Sequence, residues 1–317
     1  MRCGKSIVFV AAALIAGGVL YPQVRPTPRT QRPVPTRAGP AYLQRLKSFE
    51  ETQYVTKAVL RNGLTVLVHE FRAYPLAGIS TWVRSGTLDE SDDLLGASLV
   101  LERLLYRGTR TRAAGVIARE VRALGGELES ATANDHTTYD LVVPSAQWKK
   151  ALEIAADMLW NPRLDEQDLK QEVDAIRDET RFGLDDPDTI ASERLLALGF
   201  GQHRIRRGSL ALDSALSNLS RTALLEHYRT AYHPARIILV VAGDVSSYEV
   251  LNEVTRLFDI AKGAAPKPPQ SPVEKPQPDF RYAQVRGSFP VPKILLGYHA
   301  ASTAFEDYPA LEVLNAI

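Results

Sequence analysis

The spacing of apolar residues changes character several times along the chain. Leu64–Glu70 and Leu76–Val83 alternate apolar with polar positions and are rich in β-branched residues, which predicts two strands. From Leu94 to Tyr106 and from Ala113 to Leu124 the apolar residues recur instead with a helical period, which predicts two helices. Glycine follows each of these two segments and is expected to end the helix.

The same patterns continue through the following residues. Further strands are predicted at Ser130–Val143 and Arg236–Ala242, and further helices at Ala146–Trp160, Asp165–Phe182, Thr189–Leu198, Arg221–Ala231 and Ser246–Phe258. Grouped strands followed by runs of helices indicate an α+β fold, with a mostly antiparallel sheet and helices packed on one face. Near the end of the chain, Lys293–Tyr298 predicts a strand and Tyr308–Ile317 a helix that stops in mid-pattern without a C-cap.

Prolines divide the chain into segments. Twelve of the twenty prolines lie in residues 22–40 and 262–278, which predicts two extended linkers. The predicted organisation is a signal peptide or N-terminal anchor at 1–21, a Pro/Arg-rich linker at 22–46, a main domain at 47–261, a Pro-rich linker at 262–279, and the truncated start of a second, similar domain at 280–317.

The N-terminal segment resembles a targeting signal. Arg2 and Lys5 precede an uncharged apolar run, Ser6–Leu20, which has the layout of a secretory signal and is short for a membrane span. Because no small-x-small cleavage site follows, a cleaved signal and an uncleaved anchor both stay open. In either case we expect export to the periplasm or the extracellular space, with membrane contact only through an uncleaved N-terminus.

Composition and charge exclude several classes of protein. The single cysteine, Cys3, lies in the leader, so a disulfide framework and a thiolate zinc site are both excluded. Hydrophobic residues make up 45% of the chain, which is too many for a disordered polymer. From Ala41 onward acidic residues outnumber basic residues by five, so nucleic acid is not an expected partner.

Seven motifs follow one another in a single collinear order over about residues 51–317. They are Asn62–Val68, Val83–Glu90, Gly96–Thr109, Leu124–Gly126, Ala131–Tyr139, Glu172–Glu179 and Tyr232–Asp244. In this order they resemble the pitrilysin/insulinase family of inverted zinc metallopeptidases, particularly its processing-peptidase branch. The resemblance implies the peptidase-domain fold of that family for the main domain and the start of a second copy after the second linker.

The resemblance also implies a degenerate zinc site. In that family an H-x-x-E-H helix supplies two zinc ligands and the general base, and a glutamate from a later helix supplies the third ligand. Here both histidine positions are replaced, by Leu99 and Arg103. The family pattern keeps Glu102 at the general-base position, Glu179 at the third-ligand position and Glu172 as a supporting carboxylate.

Neither replacement can hold a metal. Leu99 has no donor atom, and Arg103 is permanently cationic and offers no lone pair. We therefore expect no cofactor, with zinc bound only if other residues rebuild the site. We expect instead that Arg103 takes over the electrostatic role of the metal and pairs with Glu102, Glu172 and Glu179, since burying three carboxylates without a cation is costly.

Glu172 and Glu179 are seven residues apart and are expected to share a helix face. Val173 and Ile176 indicate that this face points toward the core, with a solvated face as the alternative. If Arg103 forms a buried pair there, Arg103→Ala should destabilise the fold by about 3–5 kcal/mol.

The predicted strand Ser130–Val143 is the expected peptide contact. In the resembling enzymes this strand edges the cavity, and substrate peptide adds to it as an extra strand through main-chain hydrogen bonds. Small or polar side chains leave room for that pairing, so the candidate substrate-binding residues are Ala131, Thr132, Ala133 and Asn134. A plain edge strand without a ligand is the alternative.

With export expected from the leader, the resemblance implies a metallopeptidase homologue that is inactive on its own. It would act as partner subunit or peptide-binding chamber wall of a two-chain peptidase, beside a second family chain with an intact H-x-x-E-H motif. Two alternatives stay open. One is an active zinc-dependent metalloendopeptidase with a rebuilt metal site, for example from His136 and Glu179. The other is a purely structural subunit that binds no peptide.

Overall fold

The structure is a computed structural model of the chain, and it forms two compact units. It describes residues 41–183, 186–260, 263–264, 266–267, 272–287, 289, 291–300 and 305–316. The first unit spans residues 41–295, and in the second the structure describes residues 296–300 and 305–316. The second unit contains the helix Tyr308–Ala316, which confirms the last predicted helix as far as it is described.

A seven-stranded sheet is the frame of the first unit. In chain order its strands are β1 (Leu46–Glu51), β2 (Thr56–Leu60), β3 (Thr65–Glu70), β4 (Leu76–Val83), β5 (Glu127–Thr132), β6 (Thr137–Pro144) and β7 (Ile237–Gly243). Across the sheet their order is β1-β2-β3-β7-β4-β6-β5. All neighbours are antiparallel except β3 and β7, so β1 and β5 are the two edges of a mostly antiparallel sheet.

The helices cover one face of this sheet. They are α1 (Ala97–Arg107), α2 (Val116–Ala123), α3 (Trp148–Trp160), α4 (Glu166–Gly183), α5 (Pro187–Gly199), α6 (Ser209–Leu216), α7 (Arg221–Ala231) and α8 (Ser247–Phe258), with α9 (Tyr308–Ala316) in the second unit. Alternate residues of β4, such as Ile79 and Val83, are fully buried against the helices, whereas Leu76 and Trp82 on the other face stay exposed. The predicted α+β fold is therefore confirmed.

The strand β7 lies in the middle of the sheet although it comes late in the chain. It pairs with β3 on one side and with β4 on the other. Ile237, Leu239 and Val241 are fully buried, as expected for a central strand. The residues that follow α7 thus complete the core that the first half of the chain begins.

Two predicted strands are wrong. Ser130–Val143 is not one strand but the hairpin β5–β6, because the turn-forming pair Asn134-Asp135 interrupts the run and the Ala133 N–H donates to the His136 carbonyl at 2.8 Å. Lys293–Tyr298 forms no strand: its apolar side chains have no sheet neighbour, and Ile294 is 86% exposed. The sequence analysis also missed β1, β2 and the short helix α6.

The predicted leader, residues 1–21, and the first linker up to residue 40 lie outside the described residues. Among the helices of the described part, none is long and apolar enough to cross a membrane.

Candidate functional site

The site is built on α1, whose start is fixed by two residues. Gly96 has a φ of 93°, and a Cβ at this position would lie 2.6 Å from Leu212 Cδ1, so only glycine fits there. Buried Glu90 accepts hydrogen bonds from the N–H groups of Gly96 at 2.8 Å and Ser98 at 2.6 Å. A carboxylate at this position caps the helix and complements the positive end of its dipole.

Glu102 is buried beneath the edge strand β5. One of its carboxylate oxygens accepts a hydrogen bond from Ser130 Oγ at 2.8 Å, and the other accepts one from Thr132 Oγ1 at 2.6 Å. The side chain borders a cavity of about 390 Å³ that Tyr106, Leu128, Glu129 and Ser130 also line. The carboxylate at the general-base position is therefore held by hydroxyl groups and faces a cavity large enough for a side chain.

Tyr106, Leu128, Glu129 and Ser130 are site residues that the sequence analysis missed. Burial, with the charge of Glu102 as a second cause, raises the pKa of Tyr106, which keeps the phenol neutral. The helical spacing between Glu102 and Tyr106, four residues, was the available signal, since it places both side chains on one face.

Arg103 pairs with Glu179 and not with three carboxylates. Its guanidinium donates to both carboxylate oxygens of Glu179, at 2.8 and 2.5 Å. This hydrogen-bonded pairing lowers the pKa of Glu179 and raises that of Arg103. Leu99, at the other histidine position, packs against the hydrophobic core. The carboxylate of Glu179, at the expected position of the third ligand, is thus paired with Arg103. Arg103 lies on α1, the helix on which the family pattern places the two histidines.

Glu172 is held by a different arginine, one turn further along α1. Arg107 pairs with Glu172 and, at 2.9 Å, with Asp168. The prediction that Arg103 pairs with Glu102 and Glu172 is therefore wrong: Arg107 neutralises Glu172, and hydroxyl groups stabilise Glu102.

Glu179 also lies on a more exposed face than predicted. Its side chain is 60% exposed, whereas that of Glu172 is 15% exposed. Leu169, Val173 and Ile176 form the buried stripe of α4. At about 100° per residue, Glu172 and Glu179 lie roughly 65° and 85° from the centre of that stripe, which places them on the flank of the helix.

The edge of β5 is open for main-chain pairing. In the described part of the chain β5 pairs with β6 alone. The hydrogen bond from Ala133 to His136 sets the alternation of this antiparallel ladder, so the N–H and C=O groups of Leu128, Ser130 and Thr132 point away from β6. Ser130 and Leu128 also line the cavity, which therefore lies beside this open edge.

The four predicted substrate-binding residues divide into two groups. Ala131 and Thr132 end the strand β5. Ala133 and Asn134 form the turn, and their carbonyl groups accept hydrogen bonds from the N–H groups of Thr87 at 3.1 Å and Leu88 at 2.8 Å. These two carbonyl oxygens already have partners, so the edge open to a peptide lies within β5 itself, at residues 128–132, and not in the turn.

The residues present do not fit a zinc ion. His136, the proposed replacement ligand, stacks on Trp82 with ring centroids 4.6 Å apart and pairs with Asp135. Trp82 lies on the sheet face opposite Glu102, so His136 is not placed beside Glu179. Within the described ranges there is no group of three or more His, Cys, Asp or Glu side chains that could hold a metal.

Comparison with known families agrees with this geometry. A profile described as Insulinase (Peptidase family M16) matches residues 66–211, and a profile described as Peptidase M16 inactive domain matches residues 218–317. Together they span the chain from Val66 onward with only six residues between them. The chain belongs to the M16 peptidase family, which confirms the resemblance inferred from the motifs.

Individual relatives are longer than this chain. An uncharacterised zinc protease of Mycobacterium leprae is 30% identical over 263 residues, which cover 82% of this chain and 59% of the relative. A probable mitochondrial-processing peptidase subunit beta of Arabidopsis thaliana is 27% identical over 273 residues, which cover 85% and 51%. The chain thus spans between half and three fifths of these curated relatives.

A solved protease structure from Helicobacter pylori has a similar fold. It superposes with a TM-score of 0.63 at 22% identity, over 67% of this chain and 52% of that chain. At this identity the likeness concerns the fold alone.

Proposed function

We propose that this chain is an exported, non-catalytic M16 homologue that binds extended peptides and works beside a second family chain. The observation that carries the proposal is the bidentate Arg103–Glu179 pair. It places a permanent cation on Glu179, the expected position of the third ligand, and Leu99, which packs against the core, offers no donor atom at the position of another ligand.

Peptide binding is supported by the edge of β5. Three residues there, Leu128, Ser130 and Thr132, direct unpaired main-chain groups away from the sheet. An extended peptide would add to this edge as a further strand and direct alternate side chains toward the cavity beside Glu102.

The partner and the location rest on separate observations. One M16 relative is by its name a subunit of a processing peptidase, which supports a second chain with an intact H-x-x-E-H motif as the partner. The basic start followed by the apolar run Ser6–Leu20 supports export to the periplasm or the extracellular space.

The metal content of matched variants tests the non-catalytic part of the proposal. The double variant Leu99→His/Arg103→His restores both histidines and frees Glu179. Elemental analysis after gel filtration in zinc-supplemented buffer should give near-background zinc for the unchanged chain and close to one zinc per double-variant chain.

The control is the double variant with Glu179→Gln added, which should lose most of its zinc because a neutral amide replaces the third ligand. Stoichiometric zinc in the unchanged chain, together with chelator-sensitive cleavage of peptides that Glu102→Gln abolishes, would overturn the proposal in favour of a rebuilt metal site.

A further inference from the structure

The other edge of the sheet, β1, is an unusually exposed strand. Its residues from Lys47 to Glu51 are all exposed, and Phe49 is 43% exposed. In the part of the chain that the structure describes, β1 pairs only with β2. An exposed edge strand with an aromatic side chain is a template for pairing with another chain.

The register of β1 against β2 fixes which main-chain groups are open. The N–H of Thr52 donates to the Val55 carbonyl at 3.0 Å and closes the hairpin, and Glu51 lies opposite Thr56. By the alternation of antiparallel ladders, the N–H and C=O groups of Phe49 and Glu51 point away from β2.

We propose that β1 joins two copies of this chain, which pair antiparallel about a two-fold axis at Phe49. In this register Phe49 lies opposite the partner's Phe49, and Lys47 lies opposite the partner's Glu51 on both sides of the axis. A register shifted by one pair toward the end of β1 would place Glu50 opposite Glu50, and a register shifted toward its start would carry the pairing through the β-bulge between Leu46 and Ser48. The register centred on Phe49 avoids both. The two sheets become one continuous sheet across an isologous interface.

Apolar surface beside the strand extends the contact. Leu43 is 37% exposed and Tyr248 is 56% exposed. Tyr248 contacts Tyr42, with ring centroids 5.5 Å apart. Burial, followed by the charges of Tyr248 and Glu51, raises the pKa of Tyr42, so Tyr42 lies near the end of β1. One strand pair and this patch form a small interface, and we expect a dimer with a dissociation constant of about 10 µM to 1 mM.

The dimer leaves the peptide-binding edge free, because β1 and β5 are at opposite edges of the sheet. The inference is therefore independent of the proposed function, and either can fail alone.

Charge reversal of Lys47 and Glu51, which flank the axis, is the first test. Sedimentation equilibrium of the full chain is the measurement. Lys47→Glu and Glu51→Lys should each weaken association roughly tenfold, because each places like charges opposite one another twice. The double variant Lys47→Glu/Glu51→Lys should restore association. The four proteins share the same N-terminal segment, so association through that segment does not distinguish them.

A disulfide test reads the register directly. In a Cys3→Ser background, Phe49→Cys should form a disulfide-linked dimer on mild oxidation, since Cα atoms of such a pair are about 5.5 Å apart. Ser48→Cys is the matched control and should stay unlinked, because its copies are about 8 Å apart across the axis. A monomer at all concentrations, equal cross-linking of the two variants, or no rescue by the double reversal would overturn the inference.

Discussion

At the scale of single residues, Arg103 stands where the family pattern expects a histidine, and its guanidinium pairs with Glu179, at the expected position of the third ligand. The carboxylates around α1 are neutralised separately. Arg103 pairs with Glu179, Arg107 pairs with Glu172, and the hydroxyl groups of β5 hold Glu102. The sequence predicted which residues would lie near one another, but it could not predict this division, because the choice among partners depends on side-chain rotamers and on the rotation of α4.

This division changes the expected cost of losing each arginine. Arg103→Ala should lower the free energy of unfolding by less than about 1 kcal/mol, because Glu179 is 60% exposed and water solvates it when it is unpaired. Arg107→Ala should lower it by about 2 kcal/mol or more, since Glu172 is only 15% exposed and loses its ion-pair partner, whereas Asp168 keeps its pair with Arg163. Urea denaturation of both variants measures the difference, and a larger loss for Arg103→Ala would restore the original hypothesis of a buried pair.

The cap of α1 should make stability depend on pH. Burial raises the pKa of Glu90 from 4.5 to about 7, although the N–H groups of Ser98 and Gly96 and the charge of Arg207 act in the opposite direction. The folded state therefore binds the proton more tightly than the unfolded chain. Stability from this group is complete below pH 4.5 and is lost as the pH rises through 7, by roughly 3 kcal/mol in all.

Glu90→Gln is the variant that isolates this effect. It carries no titrating group, so the free energy of unfolding of the variant minus that of the natural chain should rise between pH 5 and pH 8. Burial lowers the pKa of His227 to about 4, which gives both proteins a slope of opposite sign below pH 6.5, and the subtraction removes it. A difference that stays flat with pH would contradict the prediction.

At the scale of elements, the long amphipathic segments were predictable and the short or irregular ones were not. Helix α7 and strand β4 have the predicted bounds, because each buries one regular stripe against the core. The hairpin β5–β6 was predicted as one strand, since its small turn residues continue an alternating pattern. β1 was missed because an edge strand that is exposed on both faces lacks the alternation of apolar and polar residues from which a strand is predicted.

The open edge of β5 gives a prediction that separates main-chain from side-chain recognition. Leu128→Pro removes an N–H that points away from β6, so the sheet should keep its hydrogen bonds, as edge strands tolerate proline in that orientation. Affinity for an extended peptide, measured by fluorescence polarisation, should fall roughly tenfold or more because one ladder bond is lost and the ring hinders pairing.

Leu128→Ala is the matched control, because it shortens the same side chain and keeps the N–H. It should retain most of the affinity if the ladder dominates binding. Equal losses in the two variants would instead indicate that the peptide contacts the Leu128 side chain in the cavity and does not extend the sheet.

At the scale of the whole molecule, the boundary between the two matched family profiles does not coincide with the boundary of the folded unit. The first profile ends at residue 211 and the second begins at residue 218. Yet β7 and α8, which follow that boundary, belong to the same compact unit as β1–β6. β7 supplies the central contact between β3 and β4, so a chain without it has two separate sheets of three strands.

Two truncated chains should therefore behave very differently. A chain that ends after Ser217 lacks β7, so it exposes the facing edges of β3 and β4 and loses the buried side chains of Ile237, Leu239 and Val241, each of which contributes about 1.5–3 kcal/mol. Since small domains are stable by only about 5–15 kcal/mol, this chain should not unfold cooperatively in urea. A chain that ends after Ile260 keeps all seven strands together with α8, so it should show a cooperative transition. The contacts that it loses include the hydrogen bonds of Gly263, Glu274, Arg281 and Lys293, none of which belongs to the sheet. Cooperative unfolding of the shorter chain would place the end of the folded unit before β7, and the predicted domain limit at residue 261 would then be wrong.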